Sequence, residues 1–357
     1  MNISVVNYDL AMGGTDKVAY ELSLLFRDHG HDVTFLTVKR PSHDFFQLPH
    51  DIKRESLGFE ANDESVKGAG YIGVGAIKAF CRLVRFLKTR QPDVVVANWT
   101  SINCFVILAS FFCRTRVVCI EHIHFDQPSS IWQRFRKWLY RHAYRVVCLT
   151  DQDLEKLSAI GSKAVKIYNP LSVKVDCLAE RKDGFKFLAV GRLEEQKGFD
   201  ILIKAFSKVV RYSPRAKLDI CGSGSQREAL RSLIHQEGLE EHVFLRGPTE
   251  DISAAYSDSD YFVLSSRYEG FGLVLVEAQA HGLPVISFDC PNGPSEIIED
   301  RVNGLLVENG SEESLADAMC ELIENPEACD RLINNAFSSL QRFSHDTIYE
   351  QWEREVF

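Results

Sequence analysis

The chain has 357 residues, of which 45% are apolar and 25% charged, and a formal net charge of −9. That length suits two domains, and the composition is that of an ordinary globular protein, which excludes intrinsic disorder. The ten cysteines lie singly in apolar runs, as at Cys119 and Cys148, with no C-x-x-C pair; they read as buried reduced thiols of a cytoplasmic protein and exclude a disulfide framework.

In chain order, the opening MNISVVNYDLAMGG lacks a basic segment, an apolar core and a small-residue cleavage site, so it reads as a first strand and not as a secretory signal. Gly13 and Gly14 follow, where a glycine pair lets backbone approach a ligand and the next helix offers free N–H groups; a tight turn alone would use the same residues. The helix GTDKVAYELSLLFRDHG repeats apolar residues at Val18, Leu22, Leu25 and Phe26 and stops at Gly30. Strand runs DVTFLTVK, DVVVANW, RVVCIEH and RVVCLT come next. The turn after the first strand is not G-x-G-x-x-G and the second strand ends without an acidic residue, which argues against a dinucleotide site.

Two basic helices interleave with those strands. In GAIKAFCRLVRFLKTR the cations Lys78, Arg82, Arg85 and Lys88 share one stripe and Phe80, Leu83, Val84 and Leu87 the opposite one. IWQRFRKWLYRHAYR mixes Arg134, Arg136, Lys137, Arg141 and Arg145 with Trp132, Phe135, Trp138, Tyr140 and Tyr144. Residues 1–170 carry a net charge of +5 and the remainder −14, so one face of the first half should be positive and suited to an anionic membrane surface. A solvated basic face over an aromatic core is the alternative reading. The longest apolar stretch, INCFVILASFFC, is too short for a membrane-spanning helix.

The turn and breaker pair Asn169-Pro170 marks the break between halves. A second series then begins with KFLAVGR, AKLDICGSG, VFLRG, DYFVLSS and LPVISFD. Strands alternating with helices predict α/β architecture: two doubly wound parallel sheets facing across a cleft, residues 1–170 and 171–340, with a helix at 341–357 crossing back to the first domain. Ligands should then bind at strand-to-helix turns. Arg192 and Lys197 bracket one such turn in GRLEEQKGFD, an arrangement that neutralises and orients a diphosphate. In RYEGFGLVLVEAQAHG, Glu269 falls in the turn and Glu277 inside the helix. The N–H groups of Phe271, Gly272 and Leu273 suit the phosphates, and the two carboxylates suit sugar and ribose hydroxyls at the two ends of a nucleotide sugar.

With these residues in place the chain resembles the family 4 retaining glycosyltransferases of the GT-B fold, whose Glu-x7-Glu element matches Glu269 to Glu277. The similarity continues through Gly13-Gly14, EHIH with His122, YNP, GRLEEQKG, CGSGSQRE with Gly222, LRG and DCPNGPSEIIEDRVNGLLVENG. It implies that Arg192 and Lys197 hold the donor diphosphate, Glu277 the ribose, and Glu269, Gly270, Phe271 and Gly272 the sugar and phosphates. His122 is implied near the transferred sugar, Arg246 and Gly247 where the base packs, residues 1–170 as the acceptor-binding domain and residues 171–340 as the nucleotide-sugar-binding domain.

The implied reaction moves a hexose or N-acetylhexosamine from a UDP-sugar to a hydroxyl of a lipid-linked saccharide in cell-surface polysaccharide or oligosaccharide synthesis. The enzyme would be peripheral at the inner face of the cytoplasmic membrane and would bind no nucleic acid. A GDP-sugar (mannosyl) transferase of the same family and a GT-B nucleotide-sugar epimerase are the alternatives. The DSD run at 258–260 has the spacing of a metal-binding signature of the other main transferase fold but leads into an apolar strand, so no metal or other cofactor is expected.

Overall fold

The computed structural model describes residues 1–40, 44–59, 74–171, 184–249 and 251–357. Of the expected break at 167–177, the part from residue 172, including Cys177, lies outside the described residues. The chain divides into two compact units, one of Met1–Pro170 with Phe343–Phe357 and one of Leu171–Arg342.

Unit 1 is built on strands β1 (Asn2–Asn7), β2 (Asp32–Lys39), β3 (Lys53–Phe59), β4 (Val94–Asn98), β5 (Arg116–Ile120), β6 (Arg145–Cys148) and β7 (Ala164–Lys166), with helices α1 (Gly14–Asp28), α2 (Val74–Arg90), α3 (Thr100–Ser110), α4 (Ser130–Leu139) and α5 (Asp151–Ala159) between them. Among the described residues the strands form one parallel sheet in the order β3-β2-β1-β4-β5-β6-β7. A parallel sheet covered on both faces needs strands apolar on both sides. Accordingly, β4 is buried along its whole length, and Ile3, Val5 and Val6 of β1 are fully buried. Helix α1 turns Val18, Leu22, Leu25 and Phe26 inward and is followed by Gly30 at φ 80°.

Unit 2 repeats the plan with β8 (Lys186–Val190), β9 (Lys217–Cys221), β10 (Val243–Gly247), β11 (Tyr261–Leu264), β12 (Val285–Phe288) and β13 (Leu305–Val307). Its helices are α6 (Phe199–Tyr212), α7 (Arg227–Gln236), α8 (Ile252–Ser257), α9 (Leu273–Ala280), α10 (Pro294–Ile297), α11 (Glu312–Glu324) and α12 (Pro326–Ser339). The parallel order is β10-β9-β8-β11-β12-β13. The last helix, α13 (His345–Glu355), belongs to unit 1. There Trp352 meets Phe26 edge-on at 5.1 Å, Tyr349 stacks on His29 at 3.5 Å, and Arg145 donates to the Glu355 carbonyl at 2.9 Å.

Both sheets therefore reverse their winding beside their first strand, between β1 and β4 in unit 1 and between β8 and β11 in unit 2. In doubly wound sheets this switch point opens a crevice beyond the carboxyl ends of the strands. Strands β3, β7 and β13, which the apolar pattern does not announce, are all edge strands, paired on one side only.

Among the described residues no helix is long and apolar enough to cross a membrane. The nine described cysteines are free, and most are buried as expected, but Cys81 on α2 is exposed.

Candidate functional site

The crevice of unit 2 gathers the residues singled out around Arg192 and Glu269. After β8 the chain passes through Gly191 and Arg192 into a single 3-10 turn, Glu195–Lys197, closed by Gly198 in the left-handed region at φ 60°. That turn is tied to the loop after β11: Arg267 N–H donates to the Gln196 carbonyl at 2.8 Å, and Ser265 Oγ to the Lys197 carbonyl at 2.9 Å. A Cβ on Gly198 would collide with the Ser265 carbonyl, so glycine is required for the two loops to touch.

The contact brings Lys197 Nζ to 2.6 Å from Glu269 Oε1, although the residues are 72 apart in sequence. Ser266 Oγ donates to the same oxygen at 2.6 Å. Arg192 is exposed, and its Nη2 reaches Gln196 Oε1 at 3.2 Å. The Gln196 amide in turn donates to the Tyr268 carbonyl at 3.0 Å. Two cations and a carboxylate thus share one strand-end crevice.

Helix α9 starts next to them. Gly272, its N-cap, has φ 94°, so Gly270, Phe271 and Gly272 lead directly into a helix start whose N–H groups favour anions. Glu277 lies one turn inside with its carboxylate buried, accepting from the Tyr256 hydroxyl at 2.9 Å. Tyr256 on α8 is a partner the local sequence does not point to.

The remaining donor-side glycines line the neighbouring strand ends. A Cβ on Gly222, at φ 146°, would overlap the Gly191 carbonyl, and Gly222 N–H donates to the Gly247 carbonyl at 2.8 Å. Gly191, Gly222 and Gly247 form a backbone shelf across the ends of β8, β9 and β10. Arg246 is held there by Asp219, Nε to Oδ1 2.8 Å, with its guanidinium 4.6 Å above Phe244. The DSD carboxylates are engaged locally: Asp258 pairs with Lys186 Nζ, and Asp260 accepts from the Lys186 N–H at 2.8 Å.

Unit 1 holds its own constellation at its switch point. Gly13 precedes α1 with extended backbone at φ −162°. A Cβ there would stand 2.7 Å from Asp16 Oδ2, whereas one on Gly14 would meet open space. Asp16 is buried and accepts from Asn7 Nδ2 at 2.7 Å. Burial, and after it the charge of Asp9, pushes its carboxyl up to about 7 against the opposing effects of Asn7 and Lys39.

His122, just past β5, has its Nε2 2.6 Å from Asn98 Oδ1, while Asn98 Nδ2 donates to the Val6 carbonyl at 3.1 Å. The second bond orients the amide, so His122 Nε2 carries the proton and Nδ1 is left as an acceptor. Burial lowers the imidazole to about 3, and the ring is neutral at physiological pH.

Behind His122, Glu121 is buried in a polar network with Thr100, Asn103 and Tyr140. Its counter-ion is Arg136 at 3.8 Å, itself 1% exposed. Arg136 is therefore not one of the outward cations of the second basic segment. The spacing explains it: Trp132, Arg136, Leu139 and Tyr140 recur at helical intervals on the inner side, while Ile131, Arg134, Phe135, Lys137 and Trp138 of α4, and Arg141 beyond it, face outward. On α2, Lys78, Arg82, Arg85 and Lys88 are exposed and Leu83, Phe86 and Leu87 buried, although Arg82 also donates to the Leu57 and Gly58 carbonyls.

Residues 13–169 match the model of the glycosyl transferase 4-like domain and residues 176–339 that of glycosyl transferases group 1. The amylovoran biosynthesis glycosyltransferase AmsD of Erwinia amylovora is 29% identical over 352 residues, 95% of each chain. An uncharacterized glycosyltransferase of Methanocaldococcus jannaschii is 33% identical over 335 residues, 78% of this chain and 82% of its own. Among solved structures, Anabaena HepE in complex with UDP-glucose superposes with a TM-score of 0.83 at 22% identity, covering 99% of this chain and 98% of its own. Two Rossmann-like units of this topology, with both halves matched by the family models, establish that the chain belongs to the family 4-type glycosyltransferases of the GT-B fold.

Proposed function

We propose that the protein is a retaining transferase that moves a hexosyl or N-acetylhexosaminyl unit from a UDP-sugar to a hydroxyl of a lipid-linked saccharide in polysaccharide synthesis. The observation that carries the reading is the meeting of Arg192, Lys197, Glu269 and the start of α9 at one switch point. Arg192, Lys197 and the α9 N–H groups would take the diphosphate, Glu269 the sugar hydroxyls, and Glu277 the ribose. The paired state of Lys197 and Glu269 keeps both charges satisfied before a donor arrives. The bond from the sugar anomeric carbon to the diphosphate breaks as the bond to the acceptor oxygen forms on the same face, and a donor phosphate oxygen receives the acceptor proton. Preorganised cations stabilise the departing charge without metal.

HepE is found in complex with UDP-glucose, and AmsD is a glycosyltransferase of amylovoran biosynthesis; these likenesses support a UDP donor and a biosynthetic glycosyl transfer to a polymer. A panel of UDP- and GDP-sugars, incubated with saccharide acceptors in excess EDTA and read by mass spectrometry, tests the reading. A glycosylated product with UDP release is expected. A preference for GDP-mannose, an isomerised donor without acceptor, or activity restored only by Mn²⁺ or Mg²⁺ would each overturn the part it addresses.

We further propose that unit 1 docks on the inner face of the cytoplasmic membrane. The outer side of α4 exposes Ile131, Phe135 and Trp138 beside Arg134, Lys137 and Arg141. Phe111 and Trp138 both contact His142, and exposed Phe112 lies 6.4 Å from Phe80 of α2. Aromatic groups ringed by cations suit an anionic lipid interface, with about 1 kcal/mol from each cation near the surface. Cosedimentation should show binding to anionic vesicles that weakens at high salt; no binding, or equal binding to neutral vesicles at any salt, would exclude the charge-driven mechanism.

A further inference from the structure

The two glutamates of the donor crevice are supported by different chemistry. Glu269 stands beside a cation, Lys197, whereas the buried Glu277 carboxylate takes a hydrogen bond from a phenol, Tyr256 Oη to Glu277 Oε2 at 2.9 Å. The Val274 carbonyl, 3.5 Å from the same hydroxyl, is too distant to compete for its one proton. Burial, and after it the charge of Glu277, holds the phenol well above the usual tyrosine range, so Tyr256 stays a neutral donor. A neutral donor orients a carboxylate without cancelling its charge. The terminal torsion of a glutamate is otherwise broad, and a carboxylate that receives two vicinal hydroxyls must present its plane in one direction.

Tyr256 is itself held in place. Its ring is fully buried on α8, stacks on His281 with centroids 4.9 Å apart, and meets Phe262 of β11 at 5.8 Å. The His281 imidazole, just past α9, is pinned at both nitrogens. Its Nδ1 lies 2.7 Å from the Glu277 carbonyl and so carries the proton, and its Nε2 accepts from Ser253 Oγ at 2.8 Å. Ser253 and Tyr256 are three apart on α8 and share one face. One face of α8 thus grips the end of α9 and, through the phenol, the carboxylate one turn inside it.

We propose that Tyr256, backed by His281 and Ser253, is the positioning residue that orients the Glu277 carboxylate for both ribose hydroxyls of the donor, and that this support sets the preference for a nucleotide with an intact ribose. The inference rests on the ribose role of Glu277 proposed above and names the residues that make that role selective.

The test uses the full chain with UDP and 2′,3′-dideoxy-UDP as probes, and the GDP pair beside them, with affinities from calorimetry and folding from melting curves. Wild type should prefer the intact ribose at least about tenfold, the scale of one hydrogen bond to a charged group. Tyr256→Phe deletes one oxygen and keeps the ring. It should weaken the intact nucleotide about fivefold to tenfold and the dideoxy form less than about twofold, because only the first uses the carboxylate. Donor KM should rise by the same factor with kcat nearly unchanged, since the ribose is held alike in ground and transition states. Ser253→Ala, at an exposed position, loosens the His281 ring and should narrow the preference about threefold. Equal weakening of both nucleotides by Tyr256→Phe would reveal a merely structural tyrosine and overturn the proposal; should that variant not fold, an unchanged preference in Ser253→Ala overturns it. Wild type that binds intact and dideoxy forms equally, or binds none of the four, overturns the ribose role of Glu277 itself and the positioning role with it.

Discussion

Arg192→Ala and Lys197→Ala are each expected to lower turnover about 100-fold or more, the typical cost of removing one preorganised stabiliser of transition-state charge. The structure separates their effects on folding. Arg192 is exposed, with its guanidinium on the Gln196 side chain and near Glu194, so its removal should change stability by no more than about 0.5 kcal/mol. Lys197 is the counter-ion of a nearly buried carboxylate, Glu269, with side-chain exposures of 14% and 9%. Its removal leaves Glu269 with Ser266 alone among these partners and should cost on the order of 3 kcal/mol. Steady-state turnover at saturating donor and acceptor, set beside the melting temperature of each variant, tests both statements. Near-normal turnover in a folded Arg192→Ala protein would remove that residue from the chemistry, and an unchanged melting temperature in Lys197→Ala would show that Glu269 does not depend on it.

The second large effect is one of stability, expected for Arg136→Met. Glu121 and Arg136 are both almost completely buried, and removing one partner of such a pair typically costs about 3–5 kcal/mol because the other charge is stranded. For a unit of this size that corresponds to a fall in melting temperature of about 10 °C. The effect should depend on pH in a stated direction. Burial raises the carboxyl of Glu121, and Arg136 is the largest opposing influence. Without Arg136 its folded pKa lies further above the unfolded value, so the penalty is absent below the ordinary carboxylate range and grows as pH rises. Melting curves should therefore show a larger deficit at pH 8 than at pH 5. Glu121→Gln combined with Arg136→Met should recover much of the loss, since no buried charge then remains. A pH-independent deficit would mean that the lost packing of Arg136 on Phe125, 3.8 Å from ring to guanidinium, dominates.

The two-fold α/β plan and the central strands are legible in the residues alone. Runs such as VVVAN in β4 and KFLAV in β8 are apolar without alternation because both faces of a parallel sheet are covered. Helix α2 was equally legible, since its period alone separates Leu83 and Leu87 from Lys78, Arg85 and Lys88. The edge strands were not legible. KRESLGF of β3 carries two cations and a carboxylate, and β13 is three residues long; a strand paired on one side needs little apolar surface and leaves a weak signature. Arg136 shows the limit for a single residue: its charge suggested a surface, but its helical phase with Trp132 and the need of Glu121 for a counter-ion drew it inward. The pairing of Lys197 with Glu269 and the orientation of His122 by Asn98 arise from long-range packing. Each depends on which strands lie side by side, and that order is set by crossover packing between segments far apart in the chain, on which local periodicity is silent.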